Sequence, residues 1–170
     1  MIKLNNIVFF ASSPGGHFAQ LLAMHDLFDK YQTVIVTNNQ LANSSIPELK
    51  NVLSIERLTN NRTKTVEVKK KMDRIQKLPV YLKMLCECFK IWQKYRPKVI
   101  ISTGSNIAIF LCLVGKLFGS KFVFIETRAK VYSKSATGKA VGRMADIVLV
   151  QWPEMVEVYE GKAKYLGTLV

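Results

Sequence analysis

The sequence predicts an α/β fold built on a doubly wound, mostly parallel sheet. Short β-rich runs recur along the 170 residues, and most are continuously apolar, as strands buried on both faces are. Helical patterns lie between them. The run IVFFA (7–11) predicts the first strand, and SSPGGH (12–17) breaks it. Phe18, Leu21, Leu22 and Phe28 then share one helix face. TVIVT (33–37) and NVLSIE (51–56) read as the next two strands.

Between Arg57 and Lys77 the rhythm stops, with eight Lys or Arg residues against Glu67 and Asp73. Pro79 suits a helix start, and Tyr81, Met84, Leu85, Cys88, Phe89, Trp92 and Tyr95 follow at helical spacing until Arg96-Pro97 ends it. KVIIS (98–102) predicts a strand, 104–118 a helix stopped by Gly119, and KFVFIE (121–126) and DIVLVQ (146–151) two further strands. The topology expected is Rossmann-like, in one domain over 1–170 with a basic insertion at about 57–78.

Charge narrows the partners. A formal net charge of +13 and a pI near 9.8 imply an anionic one: nucleic acid, an acidic membrane surface or a phosphorylated substrate. Aromatics are not interleaved with the basic residues as stacking platforms require, so no specific nucleic acid is expected. Lys69, Lys70, Lys71, Arg74 and Lys77 read either as a solvated face or as an electrostatic foot on an anionic membrane, with Tyr81 and Trp92 supplying apolar contact. No signal peptide or membrane span is expected, since the apolar run 107–114 falls short of the ~20 residues a span needs. Three cysteines without zinc or CxxC spacing fit a reduced, cytosolic setting, and no ligand cluster suggests a metal.

Three loops follow strands. Ser12, Ser13, Pro14, Gly15, Gly16 and His17 form the first. Glycines there let backbone amides approach an anion at a helix start, although a tight turn with His17 as a cap is the plainer alternative. Neither GxGxxG nor GxxxxGK[ST] occurs. The second, Ser102-Thr103-Gly104-Ser105-Asn106, is either another anion-binding helix start or a capped helix. In the third, Glu126 stands beside Arg128 and Lys130; it can hold a sugar hydroxyl, act as a base or form a local ion pair.

The stretches SSPGGHFAQLL, STGSNIAI, FIETRAKV, TGK, MADIVLVQWPE and AKYLGTLV together resemble the bacterial capsular and exopolysaccharide glycosyltransferase enhancer subunits of the CpsF and PssD type. These are related to the membrane-anchoring subunit of the two-component N-glycan UDP-GlcNAc transferase. The resemblance implies the N-terminal, acceptor-binding domain of a GT-B glycosyltransferase, with the UDP-sugar bound by a separate catalytic subunit and no cofactor on this chain. It further implies that Ser13, Gly15, Gly16 and His17, with Ser102, Thr103, Gly104 and Ser105, receive the diphosphate of a polyprenyl-linked saccharide. Arg128 and Lys130 would assist, His17 would act as ligand or base, and Glu126 would lie near the acceptor sugar. The expected location is peripheral, on the cytoplasmic face of the membrane. A non-catalytic scaffold that recruits the catalytic subunit is the alternative.

Overall fold

A computed structural model describes residues 7–38, 52–58 and 74–169, leaving aside the side chains of 74–77. Among the described residues thirteen elements follow one another: β1 (Ile7–Ala11), α1 (Gly16–Leu22), α2 (His25–Phe28), β2 (Gln32–Asn38), β3 (Val52–Leu58), α3 (Arg74–Tyr95), β4 (Val99–Ser102), α4 (Asn106–Leu117), β5 (Lys121–Ile125), α5 (Ala136–Val141), β6 (Ile147–Val150), α6 (Met155–Val158) and β7 (Ala163–Tyr165). The seven strands form one sheet in the order β3-β2-β1-β4-β5-β6-β7, and every pairing is parallel. The expected doubly wound α/β fold is the one observed.

Both sheet faces are covered, which is why the strands read as unbroken apolar runs. Along β1, Ile7, Phe9 and Ala11 point into one core and Val8 and Phe10 into the other. On the second face Phe10 meets Phe28 edge-on at 4.7 Å, with Phe18 and Leu21 of α1 beside them. On the first, Phe9 and Phe122 pack under Cys88, Leu111 and Met155 from α3, α4 and α6. Each such buried side chain contributes about 1.5–3 kcal/mol.

Where sequence and structure differ, packing explains most of the difference. Helix α3 starts at Arg74, so Pro79 lies inside it instead of opening it. Proline forfeits one ladder bond there, and a 22-residue helix packed on α4 survives that loss. The face predicted over 18–28 is divided between α1 and α2, yet Phe28 still reaches the core. Elements α5, α6 and β7 were not expected: ATGKAV carries a weak helix former at Gly138, and β7 is three residues long.

The chain leaves β1 towards β2 and β3, then returns to the other side of β1 for β4. Ligands of open α/β sheets bind at such a reversal, beyond the carboxyl ends of the strands.

Asp146, before β6, ties the opposite end of the sheet together. Its carboxylate accepts from the Phe122 amide at 2.8 Å, Lys116 at 2.9 Å and Lys121 at 3.3 Å. Partial burial pushes its pKa up, but these partners outweigh burial and hold it at about 2, below the usual 3.8. A folded pKa below the unfolded one stabilises above the unfolded value and is lost as pH falls through the folded one. The stability gap between wild type and Asp146→Asn is therefore expected to shrink between pH 4 and about 2, as thermal melts at each pH will show.

Candidate functional site

The loops after β1, β4 and β5 meet at the reversal point. Gly15 has φ 94°, a conformation that side chains resist, and it starts α1 with no side-chain cap. The amides of Phe18 and Ala19 both reach the Gly15 carbonyl. The first amides of the helix therefore rely on partners outside it.

Hydroxyls stitch this loop to the next. Thr103 Oγ1 donates to the His17 carbonyl at 2.8 Å and lies 3.2 Å from Ser12 Oγ. Ser102 Oγ donates to the Ala11 carbonyl at 2.8 Å and accepts from the Gly104 amide at 3.2 Å. Ser102 and Thr103 are both 0% exposed. Their expected direct contact with phosphate does not fit this geometry: their hydroxyls face main chain, and they hold the two loops in register. Gly104, at φ 119°, lies against the His17 ring; a Cβ built on it would stand 3.0 Å from Cε1 and 3.1 Å from Nδ1. Ser105, at φ 92°, precedes α4 without capping it.

Gly16, His17, Gln20, Thr127, Arg128 and Ala129 line an open crevice of about 520 Å³. Among the described residues, two of the five buried side-chain polar atoms without a partner sit on lining residues, His17 Nδ1 and Gln20 Oε1, and a third, Ser105 Oγ, follows Gly104. Unpaired buried polar groups are costly, and Nδ1 of His17 lies against Gly104 instead of in the open crevice. Ser13 is half-buried and Lys130 exposed, and neither is among the lining residues. Gln20 escaped the sequence reading; the signal was its place one turn after Gly16 and His17.

Glu126 is not open to this crevice. It is 1% exposed, and its carboxyl group accepts from three donors: the Thr127 amide on Oε1 at 2.8 Å, and on Oε2 the Ser135 amide at 3.0 Å and the Tyr159 hydroxyl at 2.6 Å. The expectation of a catalytic carboxylate beside the acceptor sugar does not fit this burial. Glu126 instead ties down both ends of the loop that carries Arg128. Gln151 supports it from beneath, donating to the Glu126 carbonyl at 2.8 Å while its Oε1 accepts from the Leu169 amide at 3.0 Å. The Trp152 indole donates to the Arg128 carbonyl at 2.8 Å. Burial first, then the bond to Glu126, pushes the Tyr159 phenol well above its ordinary pKa.

Two glycines make room for Tyr159. A Cβ on Gly138 would strike the Tyr159 hydroxyl and Glu126 Oε2. One on Gly142 would meet the Gly138 carbonyl at 2.6 Å and the Tyr159 ring at 2.8 Å. None of this network was foreseen; the only sequence signal was polar Gln151 closing an apolar strand.

On the α3–α4 side, Leu85, Cys86, Phe89, Leu113, Val114, Leu117 and Phe118 line an almost wholly apolar cleft of about 580 Å³. Leu117 is 77% exposed and Tyr81 46%. Trp92, expected to supply apolar contact to a membrane, is half-buried: its indole donates to Ser120 at 2.9 Å and its ring stacks on Phe118 at 4.7 Å. Lys69, Lys70 and Lys71 lie outside the described residues, as do the side chains of Arg74 and Lys77. Among the described residues no helix is long and apolar enough to cross a membrane.

Comparison with known proteins matches residues 7–169 to the family described as "Oligosaccharide biosynthesis protein Alg14 like". The UDP-N-acetylglucosamine transferase subunit alg14 of Schizosaccharomyces pombe is 38% identical over 76 residues, which are 42% of this chain and 36% of that protein. The corresponding subunit of Yarrowia lipolytica is 31% identical over 87 residues, 48% of this chain and 40% of the relative. The matched stretches thus span well under two thirds of these relatives. Among solved structures, MurG of Acinetobacter baumannii superposes with a TM-score of 0.66 at 16% identity, over 88% of this chain and 42% of MurG. At that identity the likeness concerns the fold, which is that of one half of a GT-B-type protein.

Proposed function

The chain belongs to the Alg14-like family of oligosaccharide biosynthesis proteins, and we propose that it is the acceptor-binding, membrane-associating half of a two-component inverting glycosyltransferase. In this reading a separate catalytic chain holds the UDP-sugar, and this one receives a polyprenyl-diphosphate-linked saccharide. The acceptor hydroxyl attacks the anomeric carbon, the bond to UDP breaks, and the hydroxyl proton passes to a base. The observation that carries the reading is the crevice at the chain reversal. Gly16 at the start of α1, His17 and Arg128 line it. An anion suits such a set.

The setting proposed is capsular or exopolysaccharide assembly at the cytoplasmic face of the membrane, supported by the stretches SSPGGHFAQLL and MADIVLVQWPE. Attachment would use the apolar α3–α4 cleft and the cations of the 57–78 segment. The relatives are named as UDP-N-acetylglucosamine transferase subunits, which makes UDP-GlcNAc the first donor to try.

Sugar transfer from labelled UDP-sugars to a polyprenyl-diphosphate-saccharide tests the reading. Activity is expected only when this protein and its co-expressed catalytic partner are mixed. His17→Ala is expected to lower it about 100-fold while the complex stays intact. Full activity of the His17→Ala mixture would leave this chain as a scaffold that recruits its partner and touches no acceptor.

A further inference from the structure

The two ring nitrogens of His17 occupy different surroundings. Nδ1 is buried and has no hydrogen-bond partner. Its edge of the ring rests on Gly104, so close that a Cβ there would stand 3.1 Å away. Nε2 is not among the sealed atoms, and His17 is one of the residues that line the crevice.

A neutral imidazole carries one proton, on one nitrogen or the other. On Nδ1 it would be a buried donor without an acceptor, a penalty of about tenfold or more in population. A bare Nδ1 loses less, because it faces the Cα–H side of Gly104. A histidine that takes a proton through Nε2 needs the opposite arrangement: Nδ1–H held by a carboxylate or carbonyl. Nothing among the described residues accepts from Nδ1.

We infer that His17 rests as the Nε2–H tautomer and acts as a hydrogen-bond donor to an anionic phosphate oxygen in the crevice, not as the base of the transfer reaction. The inference rests on the acceptor-diphosphate reading above and assigns His17 its chemistry within it. Arg128, on the same crevice, supplies the charge that such an oxygen needs. The group that removes the acceptor proton then lies outside this loop.

Nitrogen-15 NMR on histidine-labelled protein reads the tautomer directly. The other histidine is exposed His25, so His25→Gln leaves His17 as the single labelled ring. At a pH where the ring is neutral, the expected result is a protonated Nε2 and a bare Nδ1. Adding inorganic pyrophosphate is expected to move the Nε2 resonance and leave Nδ1 nearly still. A proton found on Nδ1, or pyrophosphate acting on Nδ1 alone, overturns the inference.

Transfer assays with the partner separate this outcome from failure of the broader reading. Glutamine presents an N–H near the position of Nε2, so His17→Gln is expected to lose about tenfold where His17→Ala loses about 100-fold. Equal losses in the two variants, with the complex intact, overturn the donor role and leave the acceptor site standing. No loss in either removes the acceptor site itself, whatever the tautomer.

Discussion

Glu126→Ala is expected to lower the free energy of unfolding by about 3–5 kcal/mol, measured by urea denaturation. The substitution strips the acceptor from two backbone amides and from the Tyr159 hydroxyl, all facing a group that is 1% exposed. A buried donor left unsatisfied costs about 1–3 kcal/mol, and local relaxation keeps the three losses from adding fully. Tyr159→Phe removes one donor and keeps the acceptor for the two amides, so it is expected to cost only about 1–2 kcal/mol. The double variant should then cost less than the sum of the singles, because a phenylalanine ring makes no demand on a missing carboxyl. A Glu126→Ala protein as stable as wild type would mean that water replaces the carboxyl without loss. The same substitution frees both ends of the Arg128 loop, so on the proposed function surviving protein should lose transfer with a catalytic partner, although residue 126 is itself buried.

On the proposed function, Gly104→Ala should damage transfer more than its size suggests. At φ 119° any side chain strains the backbone, at a cost of about 1–2 kcal/mol. The new methyl would also stand 3.0 Å from Cε1 of His17, so the ring must move by a few tenths of an ångström. Displacements of 1 Å near reacting groups cost about 100-fold, and a smaller one is expected to cost about tenfold in transfer by the complex. Melting curves and transfer assays on one preparation separate the two effects. Lost stability with unchanged transfer would show that the fit of His17 on Gly104 is incidental.

The strands from β1 to β6 were legible because burial on both sheet faces leaves continuous apolar runs, with Phe9 and Phe10 turned to opposite cores. The sequence also pointed to the loop after β1, where Gly16 and His17 line an open crevice. Direct roles for Ser102, Thr103 and Glu126 do not fit the geometry: a polar residue beside a glycine loop looks the same in sequence whether it faces ligand or main chain. Only Thr103 reaching back to the carbonyl of His17, 86 residues away, distinguishes the two. The contacts among Tyr159, Gln151 and Gly138 were not legible for the same reason, since these residues and Glu126 come together only through the fold.

The packing of Tyr159 bears on how this chain can drift. Gly138, Gly142, Tyr159 and Glu126 constrain one another, because a side chain at either glycine would collide with the packed Tyr159. While Tyr159 is in place, a side chain at 138 would strike its hydroxyl and one at 142 its ring. Relatives with a side chain at 138 should therefore carry a smaller residue at 159, whereas position 142 stays confined by the Gly138 carbonyl as well. Positions 138 and 159 should change together on a family tree.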